Sequence, residues 1–190
     1  INNISYKNFR FYKYYFILFC FNLCLSELLY PENNIIINSV LFPFKWEQVV
    51  NARRYQIQLS LDSNFTSIII NENDSTLIYN LENYLNWETT YYWRVRGISY
   101  NNTLLNWSNN YIFTTSSPKF NITINNSNNQ ESGLNYIIFG SWSNNLKSGI
   151  IDKFGHEIWN SGNENILSYG IDNTGNFLGG QKRYDNNMHV

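Results

Sequence analysis

Cysteine is nearly absent from this 190-residue chain, and both copies, Cys20 and Cys24, fall among its first 26 residues. Past that point no disulfide and no cysteine-ligated metal can form, so a fold there must rest on its core alone. Proline occurs three times and methionine once, at Met188. Alanine, the best helix former, is scarce, which disfavours helices. Neither sign of charge is in excess: 13 basic residues stand against 14 acidic ones, for a formal net charge of −1. No basic stripe can neutralise a run of phosphates, which argues against nucleic acid as a partner. Arg94 and Arg96 come nearest to a basic cluster, and they read as two outward positions of one strand. Histidine is limited to His156 and His189, so there is no His-x-x-x-His pair. Gly-rich phosphate loops and Gly-x-Ser-x-Gly elbows are missing too. Asp62, Asp74, Asp152, Asp172 and Asp185 read as turn-forming residues of loops. The expectation is therefore no catalytic residue, no cofactor and no metal ligand in this chain.

What the chain does have is aromatic and apolar residues in strand patterns. Hydrophobic residues make up 43% and aromatics 18%, separated by Asn-rich stretches. That mixture suits strands joined by turns, and an all-β fold is expected. A chain that opens on Ile1 and has its only Met at position 188 is expected to continue at both ends, chiefly past Val190.

Residues 1–26 read as a signal peptide. Lys7, Arg10 and Lys13 give a positive start, and Tyr14 to Cys24 form an apolar stretch. That stretch is shorter than the ~20 residues of a spanning helix. A retained membrane anchor is the alternative, and any membrane association is expected only through this leader. The mature chain is expected to be secreted, periplasmic or on the cell surface of a bacterium, as export without disulfides suggests.

Alternation with a period of two dominates residues 31–117. Phe42, Phe44 and Trp46 share one face, with Lys45 and Glu47 on the other. Tyr55, Ile57, Leu59 and Leu61 then oppose Gln56, Gln58 and Ser60. Strands are expected at Phe65 to Ile70 and Thr76 to Tyr79, with Asn71 to Asp74 as a polar connection. Tyr91, Trp93 and Val95 alternate inward against Tyr92, Arg94 and Arg96, and Trp107 to Thr115 closes the set. About seven short strands with polar turns predict a β-sandwich.

These residues resemble fibronectin type III domains. The resemblance lies in Trp46 on the second strand, in Tyr55, Ile57 and Leu59 on the third, and in the Leu85 to Tyr91 stretch leading into the sixth. It implies a tyrosine corner at Tyr91, whose hydroxyl would bond backbone upstream. Trp87-Glu88 departs from the family pattern, where a Pro-Gly turn is usual. The resemblance covers nearly half the chain and specifies fold far better than function. Exposed Tyr84, Trp87, Tyr92 and Tyr100 are candidates for a sugar-stacking face, though such residues more often cover neighbouring strands.

Residues 118–133 read as an Asn/Ser-rich linker, in which Phe120 to Ile124 could pair locally. From 134 to 190 the pattern changes to hairpins. Asn135 to Ser141 is one apolar run, and Gly149 to Asp152 turns through Asp152-Lys153-Phe154-Gly155 into His156 to Trp159. Twenty positions on, Asp172-Asn173-Thr174-Gly175 repeats the turn. The strings Ile151-Asp152-x-x-Gly155-x-x-x-Trp159 and Gly175-Asn176-Phe177-Leu178 resemble the opening blade of bacterial arylsulfotransferase-like β-propellers. The expected class is an immunoglobulin-like, fibronectin type III β-sandwich followed by an incomplete β-propeller.

The resemblance implies sulfate transfer between phenolic compounds, with a His nucleophile in later blades and none carried by this chain. His156 is expected as a solvated turn residue. The functional expectation is the front part of an exported protein, its sandwich an accessory module packed against a downstream propeller. The alternative is a non-catalytic surface binding or adhesion protein. Carbohydrate, phenolic substrate and protein are the ligands under consideration. The hairpin unit is not expected to be self-sufficient, leaving Ile137, Phe139, Ile151, Ile158, Trp159, Phe177 and Leu178 partly exposed.

Overall fold

The computed structural model describes residues 26–122, 136–142, 146–172, 176–182 and 188–189. The expected leader up to residue 25, residues 123–133 of the expected linker and the middle of the second Asp-x-x-Gly turn lie outside that set. The first part forms β1 (Leu28–Tyr30), β2 (Ile35–Ile37), β3 (Pro43–Trp46), β4 (Ala52–Ser60), β5 (Ile68–Asp74), β6 (Ile78–Asn80), β7 (Thr90–Ser99), β8 (Leu104–Trp107) and β9 (Tyr111–Thr115). The second forms β10 (Tyr136–Trp142), β11 (Leu146–Asp152), β12 (Glu157–Asn160), β13 (Ile166–Ile171), β14 (Phe177–Lys182) and β15 (Met188–His189).

The described chain is all-β, and none of its sheets closes on itself. Strands β1-β3-β6 make one sheet, and β2-β9-β7-β4-β5 make the other, with β8 also paired to β7. Aromatic residues from the two sheets meet between them, which is the layout of an immunoglobulin-like sandwich. Strands β8 and β9 serve successive lengths of the same β7 edge. The break falls at Ser108, whose hydroxyl accepts from the Val95 N–H at 3.1 Å while its own N–H donates to the Val95 carbonyl at 2.8 Å.

The inward positions pack as the alternation predicts. Trp46, Tyr55, Ile57, Tyr91, Trp93 and Val95 belong to one buried cluster with Phe44, Leu59 and Phe113. Phe44 meets Trp93 edge-on at 5.0 Å between centroids, and Tyr91 stacks on Phe113 at 5.4 Å. The indole N–H groups of Trp46 and Trp93 are buried without a hydrogen-bond partner. Each orphan donor costs about 1–3 kcal/mol. Burying an aromatic ring of roughly 200 Å² returns about 5 kcal/mol, so burial wins.

Tyr91 forms the tyrosine corner. Its hydroxyl accepts a hydrogen bond from the Asn86 N–H at 2.9 Å, and burial pushes its phenol pKa up. The departure at Trp87-Glu88 also has a geometric account. Glu88 adopts φ of 53°, the left-handed region that the family's glycine would occupy without strain.

Several expectations are corrected. Asn71 to Asp74 is strand, as the second half of β5, because it pairs residue by residue with Tyr55 to Gln58 of β4. Phe65 stands outside the strand with φ of 57°, and its ring is buried under Arg94. Leu61 leaves the inward set at 47% exposed, since a bulge shifts the register at Leu59/Ser60. The outward face of β7 is only half wet. The Arg94 guanidinium lies 3.8 Å from the Phe65 ring centroid and 4.3 Å from that of Trp107, and Arg96 sits 4.3 Å from Trp107. Gln58 and Gln56 carbonyls accept from the two guanidiniums, which buries Gln58.

The second part holds two antiparallel three-stranded sheets, β10-β11-β12 and β13-β14-β15. They approach closely at Gly140, where a Cβ would collide with Leu167 and the Ser168 carbonyl. Ser148 ties them together, its hydroxyl donating to the Ile166 carbonyl and accepting from the Ser168 N–H.

Trp93→Ala should destabilise the sandwich by about 3–5 kcal/mol, read from denaturant unfolding. Glu88→Gly should stabilise by roughly 0.5–1 kcal/mol, because relief of the left-handed strain exceeds the added chain entropy.

Candidate functional site

The outer edge of β12 meets the sandwich. Backbone N–H and C=O groups on a strand edge need partners, and here residues 38–40 supply them. The Val40 N–H donates to the Ile158 carbonyl at 2.9 Å, and the Asn160 N–H to the Asn38 carbonyl at 3.0 Å. Ser39 and Trp159 form an antiparallel bridge, and the Ser39 hydroxyl adds a bond to the Ile158 carbonyl. The segment Asn38 to Val40 thus extends β10-β11-β12 by a fourth rung. This pairing overturns the expectation of exposure at two positions. Ile151 and Ile158 are buried at 4% and 5%, whereas Ile137 and Leu178 are exposed. Phe139 and Trp159 are half-buried, and the Phe177 side chain lies outside the described set.

Glu157 locks this junction from below. Its carboxylate is buried and accepts from the backbone N–H of Lys119 and Phe120, the latter at 2.6 Å, and from Asn160 Nδ2 at 2.6 Å. Its carbonyl accepts from the Trp87 indole N–H at 3.2 Å. Phe120 is not in a strand, and its ring packs edge-on against Phe139 at 4.7 Å.

Above the lock opens a cleft of about 350 Å³. Tyr84, Leu85 and Trp87 line it from the sandwich, Pro118 and Phe120 from the connecting segment, and His156 and Glu157 from the hairpin. Of the aromatic residues expected to form a stacking face, Tyr84 and Trp87 are therefore brought together. Tyr92 is half-buried along β7, and Tyr100 lies past the far end of that strand, roughly 30 Å away by strand length. Sequence reasoning missed Phe120, Pro118 and Glu157, whose roles depend on a docking that periodicity does not report.

His156 does more than face solvent. Its side chain is 69% exposed, yet Nδ1 lies 2.9 Å from Asp152 Oδ2. Asp152 Oδ1 accepts the N–H groups of Phe154 and His156, and Gly155 completes the turn at φ of 91°. Burial opposes the Asp152 charge, but the hydrogen bonds from His156 and the two backbone donors hold its pKa below 3.8. Asp172 repeats the device, with Asn176 in place of His156. Asp62 also organises a turn. The Ser67 N–H, with those of Thr66 and Asn64 and the Ser60 hydroxyl, holds its carboxylate in the charged form. Asp74 ends β5, where it accepts the Thr76 N–H. His189 pairs by its backbone with Gln181.

No family model and no curated protein matches this chain. Among solved structures it is similar to an Fn3-like protein from Clostridium thermocellum, at 16% identity and a TM-score of 0.37, covering 50% of this chain and 92% of that one. A beta-1,2-glucanase from Parabacteroides distasonis matches at 18% identity and a TM-score of 0.37, over 50% of this chain and 13% of the glucanase. An alpha-L-rhamnosidase from Dictyoglumus thermophilum matches at 14% identity and a TM-score of 0.36, over 62% of this chain and 15% of that enzyme.

Asp152→Ala should free the Phe154 and His156 amides to exchange at neutral pH. In the unaltered chain those amides should lose protection only in acid. A depressed carboxylate pKa contributes stability above its ordinary value, about 4, and loses it as pH falls through the folded value. Amide exchange corrected for intrinsic rates measures both.

Proposed function

We propose that this chain is an accessory module in which the sandwich holds the hairpin sheets in one fixed orientation. The observation that carries this reading is the pairing of residues 38–40 with β12, backed by the buried Glu157 carboxylate. A flexible tether would leave the β12 edge to water, whereas here both sides are committed to each other.

In the finer reading, the hairpin sheets open an arylsulfotransferase-like propeller, and the longer protein transfers sulfate between phenolic compounds. The Ile151-Asp152-x-x-Gly155-x-x-x-Trp159 string supports it. So does the four-rung set made when the sandwich segment joins β10-β11-β12, since propeller blades have four strands. The leader-like residues 1–26 support export to the periplasm, the medium or the cell surface. The alternative, a non-catalytic surface binding protein, draws on the open aromatic cleft instead.

Coupling is testable on the full chain by calorimetry. The unaltered protein should unfold in one transition. Glu157→Ala removes the acceptor of three donors and should split that transition, with the hairpin sheets melting first. A single transition with unchanged midpoint in Glu157→Ala would mean that the junction does not couple the two parts.

A further inference from the structure

The cleft at the junction has the makings of a ligand site in its own right. Its walls are aromatic or apolar: Tyr84, Trp87, Pro118 and Phe120. Its volume of about 350 Å³ lies at the small end of ligand sites, room for one or two six-membered rings. Charge is the discriminating feature. Glu157, the carboxylate that lines the cleft, is already occupied by three nitrogen donors, and Asp152, which holds His156, is occupied by that ring, the turn backbone and Tyr84. The cleft therefore offers no unpaired carboxylate to a cation, and no Arg or Lys side chain lines it to attract an anion.

What remains for a ligand is hydroxyl chemistry. The contact of His156 Nδ1 with an ionised carboxylate needs a proton on that nitrogen, which leaves Nε2 as an acceptor in the neutral ring. Burial and then the Asp152 charge push the Tyr84 phenol up, and the Asp152 side chain engages its O–H, which leaves the phenol oxygen as a second acceptor for a ligand hydroxyl. Tyr84 is also open to solvent, at 41% exposed. A phenolic ligand gains chiefly by full enclosure, and this site is open to water. A sugar ring instead needs one apolar face covered and its equatorial hydroxyls left wet or bonded.

The geometry points to the Tyr84–Trp87–Phe120–His156 cleft as a binding site for a neutral pyranose unit of a glycan. The inference rests on the docked junction, because residues from both sides line the cleft.

The full chain should be titrated calorimetrically with neutral oligosaccharides of glucose, xylose, mannose and galactose, an acidic oligouronate and a simple phenol. At least one neutral oligosaccharide should bind, and Tyr84→Ala should weaken it about tenfold. Tyr100→Ala, at the opposite end of β7, should bind as the unaltered chain does. Absence of binding to every neutral sugar overturns the proposal. Preference for the oligouronate or the phenol overturns it too, as does equal binding by Tyr84→Ala and Tyr100→Ala. An unaltered chain that melts in one transition yet binds no sugar would remove the glycan site alone and leave the coupled module standing.

Discussion

Strand β7 is the constraint on which the sandwich depends. Its period of two sends Tyr91, Trp93 and Val95 into the core and Arg94 and Arg96 to the outer face, while its two edges pair with β4 and with β8 and β9. A slip of one residue would exchange those sets, putting two guanidiniums among the buried rings. The tyrosine corner opposes that slip. Tyr91 is fixed by the Asn86 N–H at the start of the strand, and Ser108 is fixed to Val95 further along.

The same strand explains why a chain free of disulfides after residue 24 can afford an aromatic core. Large rings bury much area with little side-chain entropy lost, and the edge-on pairs among Phe42, Phe44, Trp93 and Phe113 add directional packing. On the outer face, Arg94 meets Arg96 as its charged neighbour, and repulsion between them adds to burial in lowering the Arg94 pKa. Trp107, Phe65 and the two glutamine carbonyls offset that repulsion, so a polar row becomes a second, half-buried layer.

Much of this was legible in the chain. Inward positions on β3, β4 and β7 follow from strict alternation, although Gln58 and Ser60, expected on the outer face of β4, are buried, and the first Asp-x-x-Gly turn announces itself by type and spacing. Other features were invisible for a physical reason. Asn71 to Asp74 is polar on both faces because β5 is an edge strand, so it carries no periodic signal. Asn38-Ser39-Val40 pairs with β12 chiefly by backbone, with one added bond from the Ser39 hydroxyl, and backbone pairing leaves no composition to read. Of the site, Tyr84 was recognisable as an exposed aromatic, whereas Trp87 is half-buried against the core, and their meeting with Phe120 and His156 depends on that silent pairing.

Glu157 decides why the junction holds one arrangement rather than several. An ionised carboxylate removed from water loses several kcal/mol of solvation, and only a full set of donors offsets it. Those donors come from two places, the backbone at residues 119 and 120 and the Asn160 side chain, while the Trp87 indole separately holds the Glu157 backbone carbonyl. Any tilt of the hairpin sheet would strip one or more of them while leaving the charge buried. Apolar contacts such as Phe120 on Phe139 tolerate sliding, but a saturated buried carboxylate does not. The walls of the cleft, which Glu157 itself helps to line, inherit their spacing from the bonds of that one side chain.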